Sequence, residues 1–264
     1  MAKRNVILMI IVILILGSSG FFLYNRLSKE EVEDPLLRKI KERGEIIIGT
    51  DATYPPMESI DQEGNFLGMN IDIAKEIAFD LGVKPKFKNI IWEELFDAVR
   101  NGTVDIIISA ITITPERAEI MSFSDPYFNA GQVIVIRINK KEIIKGVEDL
   151  REYKVGVQVE TTSEKEAKEH TADPSLVKSY ENYELAKEYL LKGEIDAIII
   201  DYPAAVGMVS KEKDLEIVGW PFTQEFYGVA TQKDQKVLIS QINETIRRLK
   251  KEEELKRLEK KWLK

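Results

Sequence analysis

The chain has 264 residues, of which 44% are hydrophobic and 31% are charged, and its formal net charge is −7 at pH 7. That much hydrophobic sequence suffices for one large domain or two modest ones, and an acidic chain lacks the basic face that nucleic-acid binding requires. The absence of cysteine excludes disulfides, thiol catalysis and cysteine-ligated metals. The only histidine, His170, lies in the polar stretch EKEAKEH and is interpreted as a solvated helix residue, so neither a metal nor a cofactor is expected.

The first 26 residues predict an export segment. They begin with the basic MAKR, continue through eleven apolar residues, and reach the small residues GSSG, an order typical of a secretory signal peptide. Counted through Tyr24, the segment is close to the ~20 residues that span a bilayer, so it can also remain as a membrane anchor. Residues 27–40 are interpreted as a charged tether. Either outcome predicts an extracytoplasmic protein, secreted or anchored to the membrane.

Beyond the tether, apolar strands alternate with amphipathic helices, which is the pattern of an α/β protein. Residues 45–50 (EIIIGT) predict the first strand, and residues 70–82 (NIDIAKEIAFDLG) predict a helix after it. Residues 154–159 (KVGVQV) predict a strand that opens a second unit of the same kind.

One segment of the chain is repeated. Residues 92–110 (WEELFDAVRNGTVDIIISA) match residues 183–201 (YELAKEYLLKGEIDAIIID) at a constant offset. Both begin with an aromatic residue at a helix start, reach a glycine suited to end that helix, and pass an aspartate before an apolar strand. The shared register predicts two similar lobes.

Two long segments are expected to connect those lobes. Residues 131–140 are long enough to cross from the first to the second, and residues 219–232 can return the chain. We therefore predict lobe 1 from residues 41–134 and 227–264, with the helical tail packed on it, and lobe 2 from residues 135–226. A cleft between such lobes is a usual site for a small molecule. No feature indicates oligomerisation, and a monomer is expected.

Residues 110–118 (AITITPERA) place a cation at an unusual position. Thr114 and Pro115 predict the start of a helix, and a glutamate would suit the third helical position. The chain has Arg117 there instead. A guanidinium beside free helix-start amides is unfavourable alone, but both can bind one anion, such as a carboxylate.

Polar residues follow the predicted strand ends, where α/β sheets gather their binding groups. They are Asp51 and Tyr54; Ser109, Thr112 and Arg117; Glu160, Thr161, Thr162 and Ser163; and Asp201. A cation on one lobe facing Asp201 on the other suits a zwitterion, of which an α-amino acid is the commonest. Alternatively, Arg117 forms a weak surface ion pair with Glu116 or Glu119.

Five motifs carry a resemblance to a known family: GTDATYPPMES, GMNIDIAKEIA, SAITITPERAEIMSFSDPYF, GVQVETTSEK and IDAIIIDYPAA. From about residue 41 to the end, the chain resembles the extracellular amino-acid-binding proteins of ABC uptake transporters. The resemblance implies a two-lobed, periplasmic-binding-protein-like (type II) α/β fold, with two parallel-rich sheets, flanking helices and two crossing strands. It also implies an amino-acid ligand and an integral-membrane ABC permease as partner.

The resemblance also implies roles for individual residues. The ligand's α-carboxylate is expected on Arg117, Thr112 and Thr162, and its ammonium on Asp201 and Ser109. Tyr54 and Trp92 are expected to sandwich the ligand's side chain.

Several positions depart from the family pattern. Met57 and Met69 replace the usual phenylalanines, and Asn70 replaces an aspartate; these are expected to repack the surroundings of the cleft. Glu160 stands where many relatives have glycine. Its side chain is expected either to point to solvent or to reach into the side-chain pocket.

The side-chain pocket favours a basic ligand. Asp51 precedes Tyr54 by three residues, so a cationic side chain would gain an ion pair as well as contacts with the Tyr54 and Trp92 rings. Arginine or another basic amino acid is therefore favoured. Glutamine is the alternative, because Asp51 can also accept from an amide, and Asp51 can instead cap its own turn.

Two other function classes are considered. Some relatives of this fold are dehydratases, and Glu160 offers a carboxylate that could act as a general acid. No nucleophile–base pair, metal cluster or phosphate loop is visible in the sequence, so a binding protein rather than an enzyme is expected. A ligand-sensing domain would need a separate signalling partner.

Overall fold

The computed structural model describes residues 34–263. The predicted signal or anchor, residues 1–26, and the tether as far as residue 33 lie outside this range. The helices within it are α1 Pro35–Arg43, α2 Met69–Asp80, α3 Trp92–Arg100, α4 Pro115–Ile120, α5 Thr162–His170, α6 Tyr183–Lys192, α7 Tyr202–Val209, α8 Lys236–Lys251 and α9 Glu254–Trp262. None of these helices is both long enough and apolar enough to cross a bilayer.

The strands in the same range are β1 Glu45–Thr50, β2 Thr53–Tyr54, β3 Glu58–Ile60, β4 Phe66–Leu67, β5 Lys84–Asn89, β6 Ile106–Ile107, β7 Met121–Phe123, β8 Phe128–Asn129, β9 Gln132–Arg137, β10 Val155–Gln158, β11 Val177–Tyr180, β12 Ala197–Asp201, β13 Leu215–Val218, β14 Phe226–Tyr227 and β15 Ala230–Gln232. Two five-stranded sheets organise the molecule, in the orders β5-β1-β6-β15-β7 and β11-β10-β12-β9-β13. We call each sheet with its packed helices the first and the second lobe. In each, three neighbouring strands are parallel and the remaining pairings are antiparallel. The predicted α/β class with two parallel-rich sheets is confirmed.

The lobes are linked by a short pair of strands. Along the chain, β8 lies between β7 of the first sheet and β9 of the second, and β14 lies between β13 of the second sheet and β15 of the first. β8 and β14 pair antiparallel, with Phe226 opposite Asn129 and Tyr227 opposite Phe128. β9 lies entirely in the second sheet, because residues 133–136 are buried in that sheet's cores. The chain thus crosses just before residues 131–140 rather than along them. The lobe boundaries themselves stay predictions.

The N-terminal part of the first lobe is more ordered than a tether. Helix α1 begins at Pro35, inside the predicted tether, and buries Ile40 completely in the core of the first lobe. Asp34 caps this helix by accepting from the Leu37 amide at 2.9 Å and also accepts from the Leu238 amide of α8 at 3.0 Å. Since α8 packs on the same core, the predicted contact of the C-terminal tail with the first lobe is observed.

The repeated segment builds the same structure in both lobes. Gly102 and Gly193 end α3 and α6 with φ of 76° and 80°, a conformation that favours glycine. Asp105 then accepts from the Ile47 amide of β1 at 2.7 Å, and Asp196 accepts from the Lys154 amide at 3.1 Å. In each lobe the aspartate therefore ties its own strand to the neighbouring one.

Candidate functional site

A cavity lies between the lobes. The first lobe lines it with Asp51, Tyr54, Glu58, Trp92, Ser109, Ala110, Thr112 and Arg117, and the second lobe with Gln158, Thr161, Thr162, Ser163, Tyr183 and Asp201. Every residue predicted for the site is among them except Glu160. Strand ends and helix starts of both lobes thus converge on one cavity, as the sheet topology requires.

Arg117 reaches the cavity from the start of α4. Its backbone amide donates to the Thr114 hydroxyl at 3.2 Å, which is the expected helix cap. Its guanidinium donates from Nη1 to the Thr112 carbonyl at 3.0 Å and lies 5.3 Å from the centroid of the Trp92 ring. Burial lowers the pKa of Arg117 to about 10, so the group stays charged at neutral pH. This placement fits an anion site better than a surface ion pair.

Asp201 faces the cavity from the opposite lobe. It ends β12, is 7% exposed, and accepts a hydrogen bond from the Tyr227 hydroxyl. Burial raises the pKa of Asp201 to about 7, and the charge of Glu225 adds to this effect. Hydrogen bonds from the hydroxyls of Tyr227 and Tyr54 and the charge of Arg117 oppose it. A ligand ammonium would favour the ionised form of this carboxyl.

A hydrogen-bond chain connects the backbone of Asp51 to the carboxyl group of Glu58 in the first lobe. The Asp51 amide donates to Ser109 Oγ at 2.9 Å, and Ser109 Oγ donates to Glu58 Oε1 at 3.1 Å. Asn70 donates to Glu58 Oε2 at 2.6 Å. Because Ser109 already donates to Glu58, the predicted contact of Ser109 with a ligand ammonium stays a prediction.

The carboxyl groups of Asp51 and Glu58 are both buried and poorly solvated. Burial raises the pKa of Asp51, against hydrogen bonds from Thr53 and Gln158. Burial raises the pKa of Glu58 well above its ordinary value, and the nearby charge of Asp51 raises it further. The Thr53 hydroxyl donates to Asp51 Oδ1 at 2.8 Å, so Asp51 also stabilises its own turn. A positive group in the cavity would relieve both carboxyl groups.

Aromatic rings from both lobes line the cavity. The ring centroids of Tyr54 and Tyr183 are 5.5 Å apart, and the two ring planes are inclined at 43° to each other. Trp92 packs edge-on against Phe96 at 5.2 Å. Tyr183 is the repeat counterpart of Trp92, and the sequence repeat could have identified it as a site residue.

Thr162 presents a helix start to the cavity. It is the first residue of α5, whose cap is the Thr161 hydroxyl accepting from the Glu164 amide at 3.2 Å. The Thr162 hydroxyl accepts from Gln132 Nε2 at 2.9 Å and donates to Glu225 Oε2 at 3.1 Å. Its hydroxyl is engaged within the protein, so the amides of this first turn are the groups offered to an anion.

Glu160 is placed differently from the pocket expectation. Its backbone has φ of 58° and turns the carbonyl towards the first lobe, where it accepts from Trp92 Nε1 at 3.4 Å and from Arg117 Nη2 at 3.3 Å. The residue is exposed and lines an adjoining groove instead of the cavity, in keeping with the solvent-facing alternative. The residue therefore contacts the other lobe through its backbone.

Sequence reasoning missed Glu58 and Gln158. Gln158 Nε2 donates to the Glu181 carbonyl at 2.9 Å and lies 3.5 Å from Asp51 Oδ2, across the cleft. Its place at the end of β10 was the available signal. Glu58 gave no comparable signal, because its burial follows from distant partners.

The chain is similar to proteins of known family and structure. Residues 46–264 match the model of the bacterial extracellular solute-binding proteins, family 3. The chain is 34% identical over 254 residues to the ABC transporter glutamine-binding protein GlnH of Bacillus subtilis, covering 94% of this chain and 89% of that one.

Solved structures give the same result. A mutant of ArgBP from T. maritima superposes with a TM-score of 0.80 at 37% identity, covering 86% of this chain and 98% of that one. The ancestral amino acid-binding protein AncCDT-1, described as a precursor of cyclohexadienyl dehydratase, has a TM-score of 0.80 at 36% identity, covering 86% of this chain and 99% of that one. The chain belongs to the bacterial extracellular solute-binding proteins, family 3.

Proposed function

We propose that this protein is an extracytoplasmic amino-acid-binding protein that favours arginine or another basic amino acid and delivers it to an ABC permease. The observation that carries the proposal is the distribution of charge in the cavity. Arg117 and Asp201 form one oppositely charged pair across the cleft, and Asp51 and Glu58 add a second, wholly acidic cluster.

The charged pair supports binding of the α-carbon substituents. The ligand's carboxylate would accept from Arg117 and from amides near Thr112 and Thr162, and its ammonium would pair with Asp201. These groups come from both lobes, so a ligand that contacts all of them favours the closed arrangement. The hydrogen bonds from Arg117 and Trp92 to the Glu160 carbonyl already hold the lobes in contact.

The acidic cluster supports a basic side chain. Asp51 and Glu58 are both buried, and the charge of Asp51 raises the cost of ionising Glu58. A guanidinium can donate to two carboxylates at once and can stack on Tyr54 or Trp92. A lysine-type ammonium would gain the same attraction to the carboxylates but would stack less well on the rings. Arginine is therefore the favoured ligand.

Glutamine is the second candidate. The contact between Gln158 and Asp51, at 3.5 Å, is too long for a strong hydrogen bond, so a ligand amide could donate to Asp51 in its place. The relative GlnH is a glutamine-binding protein, while a truncated ArgBP from T. maritima has been solved in an arginine-bound form. A dehydratase is a weaker candidate, because Glu160, the carboxylate considered as an acid, lies outside the cavity lining.

A thermal-shift panel of the twenty amino acids, followed by calorimetry, tests the proposal. Arginine is expected to raise the melting temperature most, because binding to the folded state alone stabilises it. A larger shift with glutamine would establish the alternative ligand, and no shift with any amino acid would refute the function. Incubation with prephenate should give no product.

The cellular context is proposed on the same basis. Family membership supports an extracellular protein, and the basic and apolar start of the sequence supports export in a secreted or anchored form. Mass spectrometry of the mature N-terminus would separate cleavage from anchoring. Retention of residues 1–26 in a membrane fraction would establish the anchor.

A further inference from the structure

Tyr227 is a fully buried tyrosine on β14, one of the two short strands that link the lobes. Its backbone pairs with Phe128 and forms a bridge to Thr112. Its ring stacks on Phe128 at 5.8 Å and lies 6.2 Å from the ring of Tyr127. Both the backbone and the ring are therefore held in place.

The hydroxyl of this fixed ring donates to Oδ2 of Asp201 in the second lobe. Hydrogen bonds to a carboxylate are strong and directional, so this one restricts rotation of the carboxyl group. We propose that Tyr227 is a positioning residue for the ligand's ammonium: by holding Oδ2 it orients the Asp201 carboxylate towards the cavity. The inference rests on the proposed role of Asp201.

The surroundings of Asp201 make this hydrogen bond consequential. Burial and the charge of Glu225 disfavour the ionised carboxyl, whereas the hydroxyls of Tyr227 and Tyr54 and the charge of Arg117 favour it. The Tyr183 hydroxyl also lies within electrostatic range of Asp201. Loss of the Tyr227 donor should therefore raise the pKa of Asp201 further and leave less of the ionised form at neutral pH.

Tyr227→Phe removes only the hydroxyl, and calorimetry with two ligands measures its role. Arginine carries the α-ammonium, and its 2-hydroxy analogue has a hydroxyl there instead. We expect Tyr227→Phe to bind arginine roughly tenfold more weakly at pH 7, since a hydrogen bond to a charged group is lost. The loss should shrink at pH 9, and binding of the hydroxy analogue should change much less.

Tyr127→Phe is the matched control, because Tyr127 is a buried neighbour whose hydroxyl lies near Glu58 and Asn70 rather than Asp201. It should leave the difference between the two ligands as in the wild type. The proposal would be overturned if Tyr227→Phe lost equal affinity for arginine and for its analogue. It would also be overturned if Tyr227→Phe bound arginine as tightly as wild type from pH 6 to 9.

A second measurement covers the case in which Tyr227→Phe does not fold. In wild-type protein labelled with ¹³C at tyrosine Cζ, the cavity tyrosines Tyr54 and Tyr183 are assigned by their loss in Tyr54→Phe and Tyr183→Phe. A further tyrosine resonance, that of Tyr227, should move when arginine binds. Without ligand, the same resonance should move as the pH is raised through about 7 in wild type and stay constant in Asp201→Asn, because Tyr227 donates to the titrating carboxyl. Its failure to move in wild type would overturn the inference. If wild type binds glutamine rather than arginine, the same experiments use glutamine and its 2-hydroxy analogue in place of arginine and its analogue. A wrong choice of ligand is therefore distinguished from a wrong role for Tyr227.

Discussion

The two copies of the repeated segment share a scaffold and differ in the charge that they bring to the cavity. In both, an aromatic residue starts the helix, a glycine ends it, and an aspartate ties the strand to its neighbour. At the end of the strand, the second copy has Asp201 where the first has Ala110. The first lobe supplies its charge seven residues later, from Arg117 on α4.

This difference separates the residues that build the fold from those that bind. The scaffold positions are the same in both lobes because both sheets need the same helix ends and strand contacts. The charged positions differ in sign because a zwitterion has two different ends. Changes at the charged positions should therefore affect binding, and changes at the scaffold positions should affect stability.

The largest expected effect is on ligand affinity. Arg117→Ala and Asp201→Ala should each weaken amino-acid binding by about 2–4 kcal/mol, because each leaves one charged end of the bound amino acid in the cavity without its partner. Calorimetry measures the loss, with Arg100→Ala as a control because Arg100 is exposed on α3 and pairs with Asp97 at the surface. Near-unchanged affinity in both site variants would refute the proposed charged pair.

The same aspartate should reduce the stability of the ligand-free protein above neutral pH. The pKa of Asp201 is raised to about 7, so the folded state pays for ionising this group as the pH rises from about 4 to 7. Asp201→Asn removes that cost. Relative to wild type, it should be stabilised by about 2–3 kcal/mol more at pH 8 than at pH 5.

Urea unfolding of wild type and Asp201→Asn at pH 5 and pH 8 tests whether the stabilisation by Asp201→Asn increases with pH. A destabilising effect of Asp201→Asn that grows with pH would show that the carboxylate is favourably paired without ligand. In that case the ionised Asp201 carboxylate would not need a ligand cation to stabilise it.

Much of this organisation could be predicted from local sequence. The caps of α4 and α5, the glycines after α3 and α6, and the repeat all depend on residues within a few positions of one another. Eight of the nine predicted site residues line the cavity, because strand ends are recognisable from apolar runs.

The remaining features depend on contacts between distant parts of the chain. Glu58 is buried because Asn70 and Ser109 donate to it, and Tyr227 reaches Asp201 only after the lobes are linked through β8 and β14. The helix α1 is held by α8 through Asp34, 204 residues away. No periodicity or motif around these residues indicates such partners.

The two scaffold aspartates allow a smaller test of the same comparison. Asp105 is almost completely buried and pairs with Arg43, whereas the side chain of Asp196 is 23% exposed beside Lys140 at 3.4 Å. Asp105→Asn should cost about 2–3 kcal/mol of stability and Asp196→Asn about 1 kcal/mol, since stranded groups are more costly when buried. Thermal unfolding measures both, and a larger loss at Asp196 would contradict the assignment of these roles.

A further effect, of similar size to that of Asp196→Asn, is expected on specificity, which the first lobe supplies through Asp51. Asp51→Asn should weaken binding of arginine by about 1–2 kcal/mol more than binding of glutamine, because a cation loses an ion pair while an amide keeps a neutral acceptor. Competition calorimetry with both amino acids measures the difference. Asp61→Asn is the matched control, since Asp61 lies in the exposed turn between β3 and β4 and is not part of the cavity lining. Equal losses for the two ligands would mean that Asp51 stabilises its turn through Thr53 and leaves the choice of side chain to Glu58 and Gln158.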